Sequence, residues 1–413
     1  MEAHLERARH LLQLSRFTEA LSEINKQLAI DPNDSDTLTL ASICNLNLNN
    51  LKEAEASIQA AITLNPSSPF VFYIYSKILF AKEDYQGAEK RVKEAIALNP
   101  FAAENFSWLA RIHLHNKDYE EALHIANEGL AIEPDNINCL NTRTIALVKL
   151  NKKDEAFATI QDALTEDPHN PSTHANTGWA MLEQRNYKMA LQHFYESLRI
   201  EPNNEWARSG MIEALKARYW IYRIFLRYMF WIGNLKPQQQ WFFIIGIYVL
   251  AQILKRLSNS IPKLEWIITP LLIAYGLFAF STWIIQPLFN LLLFLHPKGR
   301  YALDSEERKT SILVGVALAA GLISLPLFFI TRLDGFFVAT IIGISLALPL
   351  SVIYRPSVKR KRTLMMALTV LIFVFGLLSI IAAFANKDYT TPIMIYAVGI
   401  LGIQFTANYF ASR

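Results

Sequence analysis

Cysteine is nearly absent: Cys44 and Cys139 are the only two in 413 residues. They stand far apart, and both fall within expected helices. That excludes a disulfide framework and a paired-thiolate metal site, and leaves two reduced core residues. Acidic charge is scarce after residue 216, where six Asp and Glu face 19 Lys and Arg, a net of +13. The first 216 residues are the reverse, with 30 acidic against 21 basic residues, a net of −9. Such an acidic half excludes nucleic acid as its partner, because phosphate binding needs a basic surface. Chemistry motifs are missing too. There is no phosphate loop, dinucleotide fingerprint, two-histidine zinc helix or active-serine elbow. His113 and His115 point to opposite sides of a helix, and Asp304-Ser305-Glu306-Glu307 reads as a helix start. No catalytic residue, metal or cofactor is expected, and the chain is read as a non-enzyme. Residues 1–16 are charged throughout and lack the apolar run of a signal peptide, so the first half is expected to be cytosolic.

What is present is a period. Pro32, Pro66, Pro100, Pro134, Pro168 and Pro202 are spaced by 34 residues. Twelve residues before each stands an alanine: Ala20, Ala54, Ala88, Ala122, Ala156 and Ala190. Four residues after each alanine stands Ile24, Ile58, Val92, Ala126, Ile160 or Phe194. Proline cannot continue a helix and disfavours helix in the residue before it, so each one ends a helix. Small residues at the eighth position (Ala8, Ser42, Ser76, Ala110, Thr144, Gly178) let one helix of a pair approach the other, and the alanines do so from the opposite side. Between the two helices a polar residue breaks the chain and a ring covers the turn, as in Asp84-Tyr85 and Asn186-Tyr187. One such hairpin cannot bury its apolar face, but stacked neighbours can.

This pattern resembles the tetratricopeptide repeat family over residues 1–204, six full units, with a closing helix at 205–218. The family's bulky fourth position is filled by Leu38, Phe72, Phe106 and Leu140, but by His4 and His174 in the end units. The resemblance implies a groove for peptides or protein segments along the first helix of each unit. In this sequence that face includes Arg9, Phe70, Tyr73, Lys77, Phe80, Arg111, Asn141, Lys149 and Trp179. An aromatic group flanked by Lys77 and Arg111 suits a peptide with an acidic or carboxylate end. The Lys/Asn constellation of the chaperone-tail-binding members is not reproduced, so no chaperone partner is expected.

Beyond the repeats, residues 217–232 interleave aromatics with arginine. Lys216, Arg223 and Arg227 are spaced as one helical stripe, and the segment 219–240 is read as an interfacial helix and linker. Residues 241–413 carry uncharged apolar runs. Four of these, about 311–330, 335–354, 364–385 and 391–410, approach the ~20 residues that cross a bilayer. The region 241–295 has two readings. Either 241–257 and 264–295 each cross once, which is slightly preferred, or 241–257 lies in the interface and 264–295 forms a kinked hairpin. Both give six crossings. The all-α chain is therefore expected to be a solenoid of six hairpins followed by a polytopic helical membrane domain.

Loop charge sets the orientation. Arg355, Lys359, Arg360, Lys361 and Arg362 crowd one loop, and Lys298, Arg300, Arg308 and Lys309 another, against Arg332 and Lys387 in the loops between. The basic loops are expected to face the cytosol and lipid head groups, with both chain ends on that side of a bacterial plasma membrane. The two-crossing reading leaves Lys255, Arg256 and Lys263 on the far side. Small residues at Ala317 and Gly321, and at Ala339, Gly343 and Ala347, suit helix pairing within the bundle. Gln286 and Asn290 share one helix face and are expected to bond neighbouring helices. No clear crossing has an ionisable residue in its interior, which argues against ion-coupled transport. The leading expectation is a membrane-anchored scaffold that binds a protein or peptide, with lipids and other membrane proteins as further partners. The alternatives are a transporter or channel component governed by its repeats, and a lipid-modifying enzyme using Glu306, Glu307 and His296.

Overall fold

The computed structural model describes residues 2–295, 303–354 and 358–411, and every element among them is a helix. The chain divides into two compact units, Met1–Ala207 with Asn234–Lys236, and Arg208–Gly233 with Pro237–Arg413.

The first unit is a run of helical hairpins. They are α1 (Glu2–Gln13) with α2 (Phe17–Ile30), α3 (Ser35–Asn47) with α4 (Leu51–Leu64), and α5 (Pro69–Ala81) with α6 (Tyr85–Leu98). Then follow α7 (Ala103–His115) with α8 (Tyr119–Ile132), α9 (Ile137–Lys149) with α10 (Lys153–Glu166), and α11 (Pro171–Glu183) with α12 (Tyr187–Ile200). The residue before each periodic proline is extended, from Asp31 (φ −131°, ψ 94°) to Glu201 (φ −128°, ψ 89°), as proline requires of its predecessor. All six periodic alanines are 0 % exposed, so each hairpin closes on a methyl group.

The turn inside each hairpin works differently from the sequence expectation. The polar residue before the ring is the start of the second helix. The break lies one residue earlier, at Ser15, Asn49, Glu83, Lys117, Asn151 and Arg185, all with positive φ. The following N–H then reaches back five residues, as in Asp84 N–H to the Leu79 carbonyl (2.9 Å) and Asn186 N–H to that of Met181 (2.8 Å). This closes the last turn of the first helix without glycine.

The two histidines at the fourth position are met by polar residues of the partner helix. His4 pairs with Glu23 at 2.6 Å, and His174 Nδ1 lies 3.1 Å from His193 Nδ1. Burial, with the His174 charge beside it, holds His193 down at about 4. Cys44 and Cys139 are buried free thiols, pushed up to about 11 and about 12 by burial, which makes them poor nucleophiles.

The helix α13 (Glu205–Lys216), expected to close the repeats, is divided between the units. Trp206 stacks on Trp179 of the first unit at 4.6 Å, while Ile212 packs with Leu293 and Leu303 of the second. The chain then turns, and α14 (Trp220–Asn234) follows. Lys216 is therefore no part of an α14 stripe. It is 2 % exposed, bonds Glu213 at 2.9 Å and lies over the Tyr222 ring.

The rest of the second unit is α15 (Pro237–Ser260), α16 (Glu265–Leu295), α17 (Ser305–Thr331), α18 (Asp334–Val352), α19 (Lys359–Phe384) and α20 (Thr390–Ala411). These six are long and apolar enough to cross a membrane by length and composition. Helix α16 runs unbroken through Pro270 and Pro287, so the kinked-hairpin reading of 264–295 is corrected to a single helix. Helix α18 is the most enclosed. A methyl group on Gly343 would lie 2.6 Å from the Gly321 backbone nitrogen, so α17 and α18 touch backbone to backbone there. The small residues thus serve pairing inside this unit, as glycine-mediated approaches do.

Two outcomes follow for the repeats. A methyl group at Gly178 would lie 2.6 Å from two ring carbons of the fully buried Phe194. Gly178→Ala should destabilise the first unit by about 1–3 kcal/mol in chemical unfolding. His193 is depressed in the folded state from an ordinary value of 6.5 to about 4. Its contribution is complete above about pH 6.5 and is lost as pH falls from there towards 4, because the unfolded chain takes up the proton first. The thermal midpoint should drop over that window, and His193→Gln should flatten the drop.

Candidate groove on the helical repeats

The first helices of successive hairpins lie side by side and present a groove of about 690 Å³ to solvent. Helix α5 contributes Tyr73 and Lys77, α7 contributes Glu104, Trp108 and Arg111, α9 contributes Asn138 and Asn141, and Asn176 and Trp206 stand at the far end.

The groove is organised around one carboxylate. Tyr73 donates its hydroxyl to Glu104 Oε1 at 3.0 Å, and Asn138 donates to Glu104 Oε2 at 2.9 Å, so neighbours on both sides hold the same side chain. Burial and the Glu104 charge raise the Tyr73 hydroxyl well above the usual tyrosine range, so it remains a donor. Trp108 is fixed by a second relay. Its Nε1 donates to Ser76 Oγ at 2.8 Å, and that hydroxyl donates to the Ala88 carbonyl at 2.7 Å. The small residue at the eighth position of this unit thus packs the hairpin and also aims a ring of the next one.

Cations lie over these rings. Lys77 Nζ is 4.5 Å from the Tyr73 ring centre and 5.3 Å from that of Trp108, and the Arg111 guanidinium is 5.6 Å from Trp108. Such contacts contribute about 0.5–1 kcal/mol each when exposed. Burial, with Arg111 nearby and Glu104 opposing, lowers the Lys77 ammonium from its ordinary value. Neither Lys77 nor Arg111 forms an ion pair within 4.0 Å among the described residues, so both keep N–H donors for an anionic group.

Four residues expected from the sequence, Tyr73, Lys77, Arg111 and Asn141, line this groove. Lys149 and Trp179 do not line it. Lys149 pairs with Glu183 at 2.8 Å, and Glu183 also accepts from Asn234 at 3.0 Å. That places Lys149 beside the segment Asn234–Lys236, where Lys236 pairs with Asp118 at 2.6 Å. Trp179 packs between Phe194 and Trp206 and donates to the Trp206 carbonyl at 3.1 Å. Glu104, Trp108, Asn138 and Trp206 were missed by sequence reasoning. Glu104, Asn138 and Trp206 occupy the second position of their 34-residue spacing, as Phe70 does, so the signal was there. Trp108 and Asn176 stand at the sixth, one residue beyond the face considered.

The expected membrane-surface cations divide as well. Arg227 and Arg360 are exposed. Arg223 donates to the Ala217 carbonyl at 2.6 Å and so caps α13. Lys361 lies over the Phe410 ring, and Arg362 pairs with Glu306, a use the sequence did not suggest. Arg355 lies outside the described residues, as does the side chain of Lys359. No group of three His, Cys, Asp or Glu side chains among the described residues is placed to hold a metal ion.

A tetratricopeptide repeat model matches residues 5–69 and 143–205, and a model for subunit 3 of the anaphase-promoting complex, or cyclosome, matches residues 81–163. No curated protein matches. Among solved structures, MamA is 22 % identical with a TM-score of 0.34, over 39 % of this chain and 94 % of that one. YrrB, titled a tetratricopeptide protein with an unusual peptide-binding site, is 18 % identical with a TM-score of 0.32, over 45 % and 95 %. Pseudomonas aeruginosa PilF is 17 % identical with a TM-score of 0.42, over 53 % and 97 %.

Ser76→Ala removes the acceptor of Trp108 Nε1. It should lower the stability of the first unit by about 1–3 kcal/mol in urea unfolding and should shift the tryptophan emission, because an indole N–H loses its partner.

Proposed function

We propose that this chain, in which residues 5–205 are a tetratricopeptide repeat segment, is a non-enzymatic scaffold that holds a protein or peptide partner at a membrane. The observation that carries the reading is the groove itself. Two cations without ion-pair partners among the described residues lie over an aromatic platform, and the nearby carboxylate is already held by Tyr73 and Asn138. An extended segment with a C-terminal or side-chain carboxylate places its charge on Lys77 and Arg111 and an apolar side chain against Trp108.

The second unit supports the anchoring half of the reading. Its helices expose Trp266 (75 %), Ile330 (76 %), Val398 (68 %) and Phe405 (76 %) among many apolar side chains, far more than a water-facing surface sustains. In a bilayer these are the lipid contacts. The exposed face of α14, with Trp220, Ile221, Ile224 and Arg227, suits the head-group layer. We place the basic loops, the repeats and both chain ends in the cytosol of a bacterial-type plasma membrane. Lys255, Arg256 and Lys263 are then on the far side, together with Arg332 and Lys387.

A second reading, a transport component governed by its repeats, is favoured by one feature, a polar cavity within the second unit. The test that separates them is capture of the full chain in mild detergent beside Lys77→Ala/Arg111→Ala, both analysed by mass spectrometry. The scaffold reading expects a stoichiometric partner that falls about tenfold or more in the double variant, the loss of two charge-assisted hydrogen bonds. Equal recovery from both proteins would remove the groove from the function.

A further inference from the structure

The second unit encloses a cavity of about 590 Å³, walled by the C-terminal ends of α16, α18 and α20 and by the start of α17. Its volume lies in the range of small-molecule sites. The chemistry of the wall is one-sided. Three carboxylates line it, Asp304, Glu306 and Glu307, half of all the acidic residues beyond residue 216, and no Lys or Arg is among the described lining residues.

Two hydroxyls and one amide oxygen add acceptors to this wall. Thr282 has given its hydroxyl proton to the Ala279 carbonyl and Ser351 to that of Leu348, both at 2.7 Å. Each is left with lone pairs. Asn290, on the same wall, is 7 % exposed, and its Oδ1 is buried with no hydrogen-bond partner among the described residues. An orphaned acceptor of this kind costs about 1–3 kcal/mol until a donor meets it.

The carboxylates are held in place by groups that leave oxygens over. Asp304 Oδ1 accepts from the N–H groups of Glu306 (2.8 Å) and Glu307 (2.7 Å), and Glu307 Oε2 accepts from that of Asp304 (2.9 Å), a reciprocal capping box. Arg208 stands 3.8 Å from the other Asp304 oxygen, and Arg362 pairs with Glu306 Oε1. Among the described lining residues the carboxylate oxygens left over and Asn290 Oδ1 are acceptors, and an occupant that brings N–H groups and positive charge suits them. A bare metal ion is a poor match, since no three of these ligand types converge among the described residues. A primary ammonium, with three donors on a compact cation, fits.

We propose that this cavity binds an organic ammonium group, carried by a phosphatidylethanolamine head group or by a small soluble amine. The proposal is independent of the groove on the repeats.

The test uses the full chain in phosphatidylcholine nanodiscs, with thermal unfolding of the second unit and calorimetry as readouts. Ethanolamine is the soluble probe. A parallel set of nanodiscs contains phosphatidylethanolamine. A saturable rise in the midpoint with ethanolamine assigns a soluble amine, and a rise only with phosphatidylethanolamine assigns the lipid. In either case Asn290→Leu and Glu306→Gln should weaken the response about tenfold or more, the loss of a hydrogen bond to a charged group. Glu306→Asp, which keeps the charge, should retain most of it, and choline, which has no N–H, should bind about tenfold more weakly than ethanolamine. The proposal is overturned if neither probe raises the midpoint, or if Asn290→Leu and Glu306→Gln respond like the unaltered chain.

Discussion

Two helices can approach closely only where side chains are missing, and both units are built on that constraint. In the repeats the periodic alanines are fully enclosed, and the facing eighth position never holds more than Thr144. In the second unit Gly321 and Gly343 bring α17 and α18 into backbone contact. Close approach fixes the angle of each pair, and a repeated angle makes the first helices of successive hairpins line up. That alignment puts Tyr73 and Asn138, on two different helices, within hydrogen-bond reach of Glu104 on the helix between them.

The groove shows how packing and recognition share residues. Ser76 is small enough for the helix pair and polar enough to join the Ala88 carbonyl to the Trp108 ring. Glu104 acts as an internal anion that orients its neighbours, while Lys77 and Arg111 remain above the rings. Removing charge from either side changes more than one contact, because Tyr73 bonds the carboxylate and also lies under the Lys77 cation. Such coupling is expected of a connected polar network in a partly desolvated groove.

The second unit obeys the same packing rule with a different surface. Its apolar side chains point outward as well as inward, an exterior that suits the lipid contact proposed above. Its polar groups gather at one end of the helices. There Glu306 engages Arg362, and Asp304 and Glu307 cap α17. The Glu306–Arg362 pair joins residues 56 positions apart in sequence.

What the sequence determined by itself was whatever depends on local spacing. The 34-residue recurrence of proline and alanine marks every hairpin, because helix termination and close approach are properties of single residues. Long uncharged runs marked the apolar helices for the same reason. Four groove residues were legible as positions on one helix face. The pairings of Lys149, Trp179 and Arg362 with Glu183, Trp206 and Glu306 were not legible, because the partners lie tens of residues away and no periodicity reports a pairing of that kind. The boundary between α13 and α14, expected between residues 218 and 219, falls in Ala217–Tyr219, which contains neither glycine nor proline. The turn is held instead by Arg223 on the Ala217 carbonyl and by the packing of Tyr222 on Phe289. Likewise the sequence put Gln286 and Asn290 on one face of a helix. Only the tertiary structure decided what stands opposite them, because a cavity belongs to several helices at once and is encoded in none of them alone.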